Sequence, residues 1–136
     1  MKVLWTLVAA VGLAGCASAP PLPAHARDFI TVPASSESVV VRPPGLRVRD
    51  GRLELTGFVV KVYEAKTTER THLDVRFFDQ NGAALREERV EFYPRRLINA
   101  RRAPNRQGNY SVPLDALPAG AVRIEVRAHD EPEHRP

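Results

Sequence analysis

The densest chemistry in this sequence is a run of arginines: Arg95, Arg96, Arg101, Arg102 and Arg106 fall within twelve positions. No acidic residue lies between Glu91 and Asp115. A planar guanidinium binds phosphate or carboxylate with two parallel hydrogen bonds, so such a run suits anionic groups. The plainer reading is a solvated loop, because runs of like charge are often only solubilising. Of 20 basic residues only Lys2, Lys61 and Lys66 are lysines. The formal net charge is only +4, and a GC-rich genome, whose codons favour Arg, would give the same arginine bias with no function attached.

Other reactive side chains are scattered. His25, His72, His129 and His134 include no pair at the helical i,i+4 spacing of a metal site. His129 and His134 enclose Asp130, Glu131 and Glu133 and could weakly chelate a metal, but a solvated tail explains them better. Ser35, Ser36, Ser38 and Ser111 stand in no nucleophile-elbow context, and no glycine-rich phosphate loop occurs. Cys16 is the only cysteine, which excludes a disulfide within the chain and leaves no separate thiol for a Cys–His pair. The expectation is a protein with no catalytic residue, metal or cofactor; a small enzyme of undefined chemistry is the weakest alternative.

Cys16 has a clearer context. Lys2 is followed by an uncharged stretch, Val3 to Gly15, rich in Val and Leu. A membrane-spanning helix needs roughly 20 apolar residues, so this shorter stretch reads as a secretory signal. It ends in Leu13-Ala14-Gly15-Cys16, which resembles the bacterial lipobox. That resemblance implies cleavage before Cys16 and acylation of its thiol, with each buried methylene adding about 0.8 kcal/mol of membrane affinity. Ala17 stands where an aspartate often marks inner-membrane retention, so the resemblance further implies the outer membrane, facing the periplasm. Nucleic acid is not an expected partner in that compartment.

The organisation follows from these elements: 1–15 signal, 16–38 lipidated cysteine and tether, 39–128 folded domain, 129–136 polar tail. The tether carries Pro20, Pro21, Pro23 and Pro33, and such segments extend by about 3.1 Å per residue. Phe29, Ile30 and Val32 form an apolar island in it that either starts a strand or docks on the domain. Hydrophobic content of 43% and charged content of 26% are ordinary for a globular domain.

Within the domain, period-two patterns predict strands. Val39-Val40-Val41 closes in the turn cluster Arg42-Pro43-Pro44-Gly45. Arg52 to Tyr63 has Leu53 and Leu55 on one parity and Phe58, Val60 and Val62 on the other, and Gly57 at the switch predicts a β-bulge. Thr71 to Phe78 places Leu73, Val75 and Phe77 inward and ends in Asp79-Gln80-Asn81-Gly82, a hairpin signal. Ala84 to Tyr93 reads as a strand with Val90 and Phe92 inward, with a helix over Ala83 to Arg89 as its rival. Tyr110, Val112 and Leu114 alternate, and Pro113 confines that strand to an edge or a strand end. Val122, Ile124 and Val126 alternate with Arg123, Glu125 and Arg127. The fold class is all-β, a small antiparallel, immunoglobulin-like β-sandwich of about six to seven strands.

Leu-Thr-Gly-Phe-Val-Val at 55–60, and Val75-Arg76-Phe77-Phe78-Asp79 followed by Gln80-Asn81-Gly82, resemble the glycine-centred strand and naming motif of FxLYD-type bacterial β-sandwich domains. YcfL-type lipoproteins share a similar aromatic-aromatic-aspartate element after a lipobox. Val75 replaces the first phenylalanine of the motif, and the downstream tryptophan typical of the YcfL type is missing. The resemblance implies a β-sandwich and transfers no catalytic residue. The expected function is therefore a non-catalytic, membrane-tethered binding or accessory module of the cell envelope. Its expected partners are the membrane through Cys16 and an envelope protein or anionic glycolipid; alternatively the arginine loop binds lipopolysaccharide, anionic lipid or peptidoglycan.

Overall fold

A computed structural model describes residues 29–115 and 117–132. The expected signal, the lipobox-like segment with Cys16, most of the expected tether with His25, and His134 lie outside the described residues. Eight strands follow one another: β1 Ile30–Ala34, β2 Val39–Val41, β3 Gly45–Arg49, β4 Arg52–Lys61, β5 Thr71–Asp79, β6 Ala84–Val90, β7 Gln107–Leu114 and β8 Ala121–Asp130. No helix occurs among the described residues, and Ala84 to Val90, the helix rival, is a strand. One sheet has the order β1-β8-β5-β6; in the other, β4 pairs with β2 and β3 on one side and β7 on the other. The β4–β7 and β5–β8 pairings join non-consecutive strands, as in immunoglobulin-like sandwiches.

The core lies between the sheets. Leu53, Leu55 and Val59 of β4 meet Leu73, Val75 and Phe77 of β5 and Ile124 and Val126 of β8 in one buried cluster. The fully buried side chains are mostly Val, Leu, Ile and Phe, and each such side chain contributes about 1.5–3 kcal/mol when fully buried.

Gly57 departs from the expected bulge. The β4–β7 register runs without a shift from Leu53↔Leu114 to Val60↔Gln107. Leu53, Leu55, Gly57 and Val59 therefore share the inner face, and Phe58 and Val60 point outward. The apparent parity switch arises because Gly57 is an inner position with no side chain. The Tyr110 ring fills that space, and a Cβ at 57 would overlap its hydroxyl and ring carbons. Phe92 occupies the corresponding space over Gly108.

Bulges occur beside β5 instead. Phe77↔Arg86 is followed by Phe78↔Ala84, and Phe78↔Arg123 by Asp79↔Ala121. Leu85 and Val122 are the extra residues, which explains why Val122, expected in the core, is 42% exposed. Ile124 and Val126 are fully buried.

Three further boundaries differ from the sequence expectation. The island in the tether is strand β1, parallel to β8 from Ile30↔Arg123 to Ala34↔Arg127. β3 was not expected, although Leu46 and Val48 alternate with Arg47 and Arg49. Its hairpin to β4 turns at Asp50 and Gly51, both with positive φ, the geometry of a two-residue turn. The expected tail begins inside β8, because His129 and Asp130 pair with His72 and Thr71.

The sandwich thus has two distinct ends. The chain enters at the near end, beside the Asp50–Gly51 turn, the β5–β6 hairpin and residues 117–120. The far end, about 30 Å away along the ten residues of β8, holds residues 62–70 and 91–106. Asp130 fastens it. Its carboxylate accepts hydrogen bonds from Thr71 Oγ1 at 2.6 Å, Ser36 Oγ at 3.0 Å and the Ser38 amide at 3.1 Å. Burial opposes the charge, but the hydrogen bonds of Thr71, Ser36 and Ser38 outweigh it and hold the carboxyl below its ordinary value.

Two predictions follow from this packing. Gly57→Ala should cost about 1–3 kcal/mol in urea unfolding, through overpacking against Tyr110. Tyr110→Phe, which removes a buried hydroxyl with no partner among the described residues, should be neutral or stabilising by about 1 kcal/mol. Equal losses for the two variants would contradict the arrangement. For Asp130, a lowered folded pKa means that its contribution is present above the unfolded value of about 3.9 and disappears as pH falls through the folded value. Asp130→Asn should therefore be less stable than wild type by about 1–3 kcal/mol at pH 7. That gap should close in acid; a gap independent of pH would exclude the charged role.

Candidate anion-binding groove

With β4 in this phase, the outer face of its sheet is amphipathic. Phe58 and Val60 of β4 lie opposite Asn109 and Gln107 of β7, and Val40 of β2 opposes Val60. Residues 94–106 form one wall beside this surface and leave an open groove of about 810 Å³. The lining includes Arg42, Lys61, Arg101 and Arg106 with Asn99, Gln107 and Asn109, and contains no carboxylate. Among the described residues none of these four cations enters an ion pair.

The wall is an ordered loop. Leu97 is buried in the core, and its amide donates to Thr68 Oγ1 at 3.0 Å. The fully buried Thr68 hydroxyl donates in turn to the Arg95 carbonyl at 2.6 Å. The Ile98 amide reaches the Asn105 carbonyl at 3.0 Å, and the Asn105 side-chain amide donates to the Arg96 carbonyl at 2.7 Å. These bonds close the two arms of the loop on each other and hold its base against the core.

The five arginines of the sequence motif separate accordingly. Arg95 turns back into the protein: its guanidinium donates to the Glu69 carbonyl at 2.6 Å, pairs with Glu91 and lies over the Phe92 ring at 5.1 Å. Burial, and after it the nearby Arg89, holds that guanidinium below its ordinary pKa. Arg96 and Arg102 are exposed but do not line the groove. Arg101 and Arg106 line it together, with Arg106 Nη1 donating to the Arg101 carbonyl at 3.2 Å. Arg42 and Lys61 complete the set and were not singled out by sequence. Arg42 arrives through the β2–β4 pairing, its amide donating to the Phe58 carbonyl at 3.1 Å, a contact no local pattern reports.

The opposite sheet presents an outer face of another kind. Arg76 pairs with Glu87 at 2.7 Å, Arg127 with Glu125 at 3.0 Å and Arg89 with Glu131 at 2.5 Å. Arg123 lies over the Phe78 ring at 4.3 Å. His129 is part of this strand face and not of a solvated tail: it stacks on His72 with ring centroids 5.7 Å apart. Asp74 sits 3.6 Å from one imidazole and 3.7 Å from the other. Among the described residues no group of three His, Cys, Asp or Glu side chains is placed to hold a metal. That face satisfies its own charges, whereas the groove leaves its cations to solvent or ligand.

Comparison with family models, with characterised proteins and with solved structures finds no match to this chain.

The division of the arginines is testable by unfolding. Arg95→Ala should cost about 1–3 kcal/mol, through the lost charged hydrogen bond and ring contact. Arg101→Gln and Arg106→Gln should each change stability by less than about 0.5 kcal/mol, as exposed substitutions do. Comparable losses at all three positions would mean that the groove cations are structural.

Proposed function

We propose that this chain is a non-catalytic, lipid-anchored module of the cell envelope that holds anionic groups in the groove beside residues 94–106. The observation that carries the reading is the set Arg42, Lys61, Arg101 and Arg106, gathered without a carboxylate on a protein whose other sheet pairs its charges internally. Cations brought together without counter-charge repel one another, and a bound anion relieves that repulsion while accepting charge-assisted hydrogen bonds. The anchor rests on the lipobox-like Leu13-Ala14-Gly15-Cys16, and the FxLYD-type and YcfL-type resemblance agrees with a small envelope sandwich.

The test uses the full chain carrying Cys16→Ser, expressed without acylation, against three probes: hexagalacturonate, lipopolysaccharide and phosphatidylglycerol vesicles. At least one should bind at low ionic strength, and binding should weaken as the screening length falls to about 8 Å at physiological salt. Changing Arg42, Lys61, Arg101 and Arg106 together to Gln should reduce binding at least about tenfold, since every 1.4 kcal/mol lost is a factor of ten. No binding of any probe, or equal binding by the Gln variant, would overturn the proposal. In cells, the same Cys16→Ser change should abolish membrane retention; a serine variant still processed and fully membrane-bound would exclude the anchor.

A further inference from the structure

Resting on the anion-binding reading of the groove, we infer that its occupant is an extended anionic glycan, with acidic groups on the four cations and a sugar ring packed on Tyr63. Three features of the groove exceed what a simple anion requires.

The first is its amide lining. A phosphate or carboxylate presents only acceptors, and arginine and lysine supply all the donors it needs. Asn99, Gln107 and Asn109 also line the groove, and each amide carries an acceptor oxygen as well as two donors. Gln107 Nε2 donates to Asn109 Oδ1 at 3.2 Å, which leaves donor and acceptor capacity unused on both side chains. Sugar hydroxyls, which donate and accept, match such a surface.

The second is Tyr63, which borders the groove and is 83% exposed. An uncovered ring beside four cations offers a flat apolar face and a polar tip, the complement of a sugar ring with C–H groups on one face and hydroxyls at its rim. The third is extent. Asn109 also borders a second depression with Thr56, Phe58 and Ser111. The outer face of β4 and β7 thus offers two hydroxyls and a part-exposed aromatic ring next along the sheet, beside Arg47, which is already paired with Glu54 at 3.1 Å. A chain of sugars can lie along such a path.

Position argues against the anchoring bilayer as the source of the anion. The groove occupies the far half of the sheet, while the chain enters at the near end. A concave surface walled by residues 94–106 meets a planar array of headgroups only at its rim, whereas a glycan strand can reach the floor.

The experiment measures the Cys16→Ser full chain by calorimetry with hexagalacturonate, and by flotation with phosphatidylglycerol vesicles. The expected result is hexagalacturonate binding that falls at least about tenfold, or roughly 1.4 kcal/mol, in Tyr63→Ala and in Gln107→Ala. Both variants should melt as the parent does. Vesicle binding that survives those substitutions but is lost in the four-cation Gln variant, with no hexagalacturonate binding, would overturn the glycan assignment and leave anion binding intact. Failure of both probes, and of lipopolysaccharide, would remove the anion-binding reading as well. Hexagalacturonate binding unchanged by Tyr63→Ala and Gln107→Ala would reduce the site to unspecific charge and overturn the inference.

Discussion

The contact between Gly57 and the Tyr110 ring decides how this sheet can be used. Because residue 57 has no Cβ, β4 stays in phase past a ring that needs the space, and the β4–β7 ladder runs unbroken. Phe58 and Val60 are thereby committed to the outer face beside Asn109 and Gln107. A bulge at that point would turn Phe58 and Val60 inward and carry the groove floor with them. The cost is a buried phenol without a partner among the described residues; burial also pushes its ionisation well above the ordinary value. Shape complementarity at one glycine thus connects the core to the surface that faces solvent.

A second constraint is electrostatic. A positive loop beside a positive sheet end would be self-repelling if left mobile, and this one is tied down by neutral and internal groups. Leu97 supplies apolar burial, Thr68 bridges two backbone groups of the loop, and Arg95 is turned inward onto Glu69, Glu91 and Phe92. The structural work is done by one arginine of the run, so Arg101 and Arg106 remain available without being needed for folding. Exposed cations held on an ordered frame lose less conformational freedom on binding than cations on a floppy loop.

Much of the architecture was legible in the sequence, and the limits of that reading are instructive. The inward sets Leu73-Val75-Phe77 and Ile124-Val126 follow from period-two alternation, and Pro113 is indeed on a strand with a single partner, β4. Gly57 misled because a missing side chain breaks the pattern in the same way as an inserted residue; only knowing that Tyr110 lies opposite separates the two. Val122 misled for the converse reason, since its bulge is created by register against β5 and leaves no local mark. β3 had a signal, Leu46 and Val48 before Asp50-Gly51, hidden by its short length. Of the groove, the sequence showed Arg101 and Arg106 but not Arg42 and Lys61, which are 59 and 45 positions from Arg101 and Arg106 and join them only through sheet pairing.

The edges of the sandwich bear on which surface is free to engage a partner. β1 is short and carries Pro33, and β6 turns the Arg86–Glu88 pair toward the interior side. The start of β7 is covered by the Tyr93–Asn109 bridge, and its end holds Pro113. Short length, proline and inward charge are the devices that discourage strand addition. Three of the outer edges, those of β1, β6 and β7, therefore resist recruitment into another sheet, which turns attention to the two faces. Of the two faces, one neutralises itself through paired charges and stacked histidines. The other gathers Arg42, Lys61, Arg101 and Arg106, which enter no ion pair among the described residues, with amides and an exposed tyrosine at the end remote from the start of β1.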